Sequence, residues 1–64
     1  MQLITLLNKL AKGTHVVIHY SNAFISSQTY TKGNKYAVVM FEHAKVENFG
    51  IQDNKLIVFA NCGK

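Results

Sequence analysis

The sequence predicts a small α+β domain: a short N-terminal helix packed on an antiparallel sheet of about five strands, curved into a small half-barrel. Three observations point there. Leucines recur at helical spacing only at the start of the chain. After Gly13 the apolar period drops to two. Turn signals at Lys32-Gly33-Asn34 and Asp53-Asn54 then divide the remainder into hairpins.

Each element has its own warrant. Over residues 2–12, Leu3, Leu6, Leu7 and Leu10 form an apolar stripe widened by Ile4 and Ala11, with Lys9 and Lys12 near the end where the helix dipole favours cations. Gly13 stands where a left-handed stop is expected. Thr14 to Tyr20 alternates as a strand, with Val16, Ile18 and Tyr20 on one face and His15, Val17 and His19 on the other. A turn at residues 21–23 leads to a polar edge strand, Phe24 to Thr31. Tyr36 to Glu42 is apolar on both faces and predicts a central strand. In the second hairpin, an Asp53-Asn54 turn pairs Gln52 with Lys55, Ile51 with Leu56 and Phe49 with Val58. The four apolar residues then share a face, as a consistent register requires, while Ile57 and Phe59 face the other way.

A chain of 64 residues is one domain, 1–64, with a thin core. One helix covers one face of the sheet. The other face, with His15, Val17, His19, Ile57 and Phe59, must meet a second copy or a partner, or close on itself. A homodimer and a self-contained curved half-barrel are the two expected solutions. The single cysteine, Cys62, allows no intrachain disulfide and suits a reducing cytoplasm. The apolar start is too short to span a bilayer, and its lysines follow the apolar run rather than precede it as in a secretory leader. The expectation is a soluble, complete, cytoplasmic chain.

The composition argues against catalysis. His15 and His19 have the His-x3-His spacing of a zinc pair, but that spacing joins two ligands only on a helix. On a strand, residues four apart are separated by roughly 13 Å. His43 and Cys62 add no motif spacing, so no metal or other cofactor is expected. A pH-sensitive surface at His15 and His19 is a milder expectation. Cys62 sits near the chain end, the serines have no elbow motif, and Glu42, Glu47 and Asp53 are scattered. The glycines are single and form no phosphate-binding loop.

Binding is the better reading. The formal charge of +4 comes from seven lysines and three acids, with no arginine. Such a chain is drawn to polyanions or acidic proteins, but it lacks the side chain best suited to phosphate and guanine. Tyr30, Lys32, Lys35 and Tyr36 flank the first hairpin and form a candidate surface for protein or nucleic acid. Lysines beside a turn also keep a sheet edge soluble.

The two ends of the chain carry a resemblance. Lys12, Gly13, Thr14, Val16 and Ile18, followed by Ile51, Asp53, Asn54, Leu56 and Val58, resemble a "KGT-x-V-x-I" strand and an "I-x-D-N-x-L-x-V" hairpin. These occur in small accessory proteins from phages and mobile elements of low-GC Gram-positive bacteria. The resemblance covers both ends and not the middle. It implies a phage-type protein that binds and inhibits or regulates a host protein, as anti-CRISPR proteins do. A basic inhibitor of this kind would block a CRISPR nuclease by contact or by control of its assembly, not by imitating DNA. The other expectation is a small basic DNA- or RNA-binding regulator.

Overall fold

The helix is shorter than its leucine spacing predicts. In the computed structural model, which describes residues 1–63, α1 spans Leu3–Leu7. Its first two amides donate to loop carbonyls, Leu3 N–H to Ala44 O and Ile4 N–H to Glu42 O, both at 2.8 Å. These bonds replace a side-chain cap. Beyond Leu7 the chain tightens, with Lys9 N–H donating to Leu6 O and Leu10 N–H to Leu7 O. The Lys32 ammonium also donates to Leu7 O, at 2.9 Å. A continued α-helix would have given that carbonyl to Ala11 N–H. The helix predicted over 2–12 is therefore corrected to one short helix and a run of turns.

Gly13 then sets the direction of the first strand. Its φ of +90° is a conformation that L side chains rarely adopt. Its amide donates to Lys32 O at 2.8 Å, which opens the first ladder. Four strands follow: β1 His15–Ser21, β2 Ser27–Thr31, β3 Lys45–Gln52 and β4 Lys55–Asn61. They lie in the order β2-β1-β4-β3. The outer pairs are antiparallel, but β1 and β4 run parallel, with Val16 beside Leu56 and Ile18 beside Val58.

The antiparallel half-barrel of about five strands is thus corrected to a mixed sheet of four, open at both edges. A parallel pair is joined by a long connection and leaves no local turn signal, so hairpin reasoning misses it. The second hairpin matches the predicted register, with Gln52 opposite Lys55, Ile51 opposite Leu56 and Phe49 opposite Val58. Asp53 and Asn54 have φ of 53° and 62°, the two positive values of a type I′ turn. The first edge strand keeps its position but begins at Ser27 rather than Phe24.

The predicted central strand Tyr36 to Glu42 lies outside the sheet. Because β2 and β3 occupy opposite edges, residues 32–44 must cross one face to join them. The side chains alternate as they would in a strand, with Ala37, Val39 and Phe41 half-buried and Val38 and Met40 exposed. At Val38 and Met40 the backbone bonds are made to a side chain instead of a neighbouring strand. Gln28, on β2, accepts from Met40 N–H at 2.9 Å and donates through Nε2 to Val38 O at 2.6 Å.

The core fills the space between this crossing segment, α1 and one sheet face. Leu3 and Leu7 from the helix meet Val16 and Ile18 from β1 and Val58 from β4, all nearly fully buried. Removing the buried atoms of Ile18 should cost about 2–5 kcal/mol in an Ile18→Ala variant. Gly13→Ala has open space for its Cβ but the wrong φ. It should lose about 1–2 kcal/mol from backbone strain alone. Urea unfolding with an unchanged m-value checks both.

Candidate functional site

The uncovered face of the sheet gathers the residues predicted to meet a partner. His15, Val17 and His19 point away from the core, opposite in phase to the buried Val16, Ile18 and Tyr20. The parallel register sets Val17 beside Ile57 and His19 beside Phe59. The His19 and Phe59 rings stack at 5.2 Å between centroids, 19° from parallel. Phe59 is still 46% exposed, while Val17 and Ile57 are half-buried by their strand neighbours. The arrangement is an apolar strip along β1 and β4 with an aromatic platform at one end.

Polar side chains surround the strip. By the pleat of the ladders, β2 contributes Ser27, Thr29 and Thr31, and the other margin carries Lys45, Asn48, Gln52 and Lys55. His15 Nδ1 lies 3.2 Å from Thr31 Oγ1. Asn61 donates to Glu47 at 3.3 Å. His15 and His19 share this face but have separate neighbours, Thr31 and Phe59. Among the described residues, no three His, Cys, Asp or Glu side chains come together as a metal-binding group.

The second predicted group, Tyr30, Lys32, Lys35 and Tyr36, is divided among different tasks. Tyr30 is half-buried and packs on the core. Lys32 is bonded to Leu7 O and holds the end of the helix. Lys35 and Tyr36 remain at the surface, with Lys35 Nζ 5.0 Å from the Tyr36 ring centroid. The Tyr36 ring is 78% exposed, and its backbone N–H donates to Asn34 Oδ1 in an Asx-type turn.

Gln28 was not singled out from the sequence. It lies on the core face of β2 opposite Ile18, and its Oε1 accepts from the Tyr20 hydroxyl as well as from Met40 N–H. An isolated glutamine in a polar edge strand gives no sequence signal for that role. Burial pushes the Tyr20 hydroxyl above its ordinary pKa. A backbone hydrogen bond at Phe41 opposes that rise, and the neighbouring Cys62 adds to it. Burial also raises the Cys62 thiol, which disfavours the reactive thiolate.

The Tyr20 shift has a consequence for stability. Its folded-state pKa lies above the unfolded value, so the stabilisation is complete below about pH 10 and is lost as pH rises through the folded value. Ultraviolet titration should find Tyr20 ionising above the ordinary tyrosine value. Tyr20→Phe should remove that late step and flatten the fall in thermal midpoint at alkaline pH.

Comparison of this chain with protein-family models, with curated proteins and with solved structures finds no match in any of the three.

Proposed function

We propose that this protein acts without catalysis, by binding another protein through the open face of its sheet and inhibiting or regulating it. The observation that carries this reading is the strip of Val17, Ile57 and the stacked His19–Phe59 pair, exposed on the face opposite the core. An aromatic anchor held by a second ring, with apolar neighbours and a polar rim, has the composition of an interface centre. Two lysines, Lys45 and Lys55, stand around it with one acid, Glu47, so a complementary partner surface is apolar at its centre and acidic at its rim. The resemblance of the chain ends to phage and mobile-element accessory proteins makes a host defence protein, such as a CRISPR nuclease, the first partner class to test. The place of action would then be the host bacterial cytoplasm.

Nucleic-acid binding is a second reading, favoured by one observation. Tyr36 presents an exposed ring beside Lys35, and such a pair can stack a base and meet its phosphate. The absence of arginine weighs against it.

Affinity capture from nuclease-treated bacterial lysate, read by mass spectrometry, separates the two. The protein-binding reading expects one protein near equimolar amounts, retained at moderate salt. Phe59→Ala should weaken its capture roughly tenfold or more, and Lys35→Glu should change it little. Nucleic acid recovered only without nuclease, and lost on Lys35→Glu or with rising salt, would favour the second reading.

A further inference from the structure

We infer that the free edge of β3 pairs with β3 of a second copy of this chain, antiparallel about a two-fold axis through Gly50. This goes beyond the open-face reading and is tested apart from it. The inference begins with the direction of the backbone groups. A type I′ turn at Asp53-Asn54 makes Gln52 and Lys55 a hydrogen-bonded pair. By alternation, Gly50 and Asn48 also bond to β4, whereas Ile51 and Phe49 turn their N–H and C=O groups outward. Phe49 N–H fits this assignment, since it donates to its neighbour Asn48 Oδ1 at 2.8 Å rather than to β4.

The side chains at this edge are uncovered as well. Ile51 and Phe49 lie on the core side, opposite the buried Leu56 and Val58, yet are 75% and 55% exposed. The short helix covers the sheet centre and leaves them bare. The opposite edge differs: on the same side of the sheet β2 carries Gln28 and Tyr30, both half-buried.

Occupancy of the strand selects the register. Gln2 already pairs with Lys45, and Val46 N–H donates to Met1 O at 2.9 Å. Residues 47–52 therefore remain for a second strand. An axis at Phe49 would drive the second copy's turn against Gln2. An axis at Gly50 brings that turn only as far as Glu47. It also sets Phe49 of each copy opposite Ile51 of the other: Ile51 N–H donates to the facing Phe49 carbonyl, Phe49 N–H exchanges Asn48 Oδ1 for the facing Ile51 carbonyl, and the apolar side chains cover one another. Gly50, with no atom within 4 Å of where a Cβ would stand, lies on the axis. A second copy suits the charge too. The edge and its turn carry Lys45, Glu47, Asp53 and Lys55, which sum to zero on a chain of net charge +4.

Sedimentation equilibrium from about 10 μM to about 1 mM reads the association, since an interface this small should give a concentration-dependent dimer. Amide hydrogen exchange should slow at Phe49 and Ile51 as concentration rises. Chemical synthesis with N-methyl-Ile51 removes the outward donor and keeps the side chain. It should yield a monomer with an unchanged circular dichroism spectrum, and Ile51→Lys should do the same. A chain that stays monomeric across the range would overturn the inference, as would a dimer that survives both edge changes or is lost instead on Phe59→Ala. Failure here leaves partner capture through Phe59 untouched, so the two readings fail separately.

Discussion

The parallel pairing of β1 with β4 governs the remaining structure. With these two strands central, the hairpin partners β2 and β3 fall on opposite edges. The chain must then travel from one edge to the other, across three strand spacings or about 14 Å. Residues 32–44 make that journey over the same face that α1 covers. Helix and crossing segment together bury one face, and none of the described residues crosses the other. The open face thus follows from the connectivity of the described residues.

Three side-chain contacts do work that longer elements do in larger proteins. Gln28 binds both Val38 and Met40 and holds the crossing segment down. The Lys32 ammonium takes the Leu7 carbonyl and ends the helix. Phe41 meets the Tyr20 ring edge-on at 5.0 Å and the Phe24 ring at 5.3 Å, closing the core at the end away from Gly13. The two polar contacts come from β2 or the residue just after it. A strand with little apolar content therefore contributes to stability through hydrogen bonds that place apolar segments elsewhere. These bonds lie at or near the surface, so each one's worth is its net contribution, about 0.5–1.5 kcal/mol, together with the apolar packing it holds in place.

What was legible in the sequence follows the range of the interactions involved. The left-handed Gly13 ahead of β1, the β1 strand and the Asp53-Asn54 hairpin with its register are local and readable from spacing and turn chemistry, although the helix itself ends at Leu7 and not at Gly13. The division of faces was readable too: Val17, His19, Ile57 and Phe59 do share the side away from the core. The adjacency of β1 and β4 was not, because nothing local marks a parallel partner. The Tyr36 to Glu42 segment shows the limit most clearly. Its period-two burial is real, but periodicity reports which side chains turn inward, not what the backbone bonds to. Likewise, the leucine spacing over 2–12 could not show that Lys32, 25 residues beyond Leu7, would claim the helix's last carbonyl. Proximity in sequence groups the lysines and tyrosines of residues 30–36 as one surface, whereas the fold packs Tyr30 on the core and ties Lys32 to the Leu7 carbonyl.

The unequal edges follow from the same constraint. The helix sits over the two central strands, since only there can Leu3 and Leu7 meet residues from both β1 and β4. At the β2 edge the crossing segment lies close, anchored through Gln28, and the strand's outward side chains are hydroxyls. At the β3 edge the crossing segment arrives only at Ala44, and the Met1–Gln2 stretch pairs no further than Val46. The rest of β3 extends past all cover as half of a hairpin that is apolar on both faces, with Phe49 and Ile51 on one and Ile57 and Phe59 on the other. A hairpin so built is stable only against its parent sheet and leaves apolar surface toward water. Isolated exposed apolar residues are ordinary. Two on alternate positions of an unpaired edge, beside outward ladder groups, form a directional surface, because only an extended strand satisfies the backbone and the side chains together.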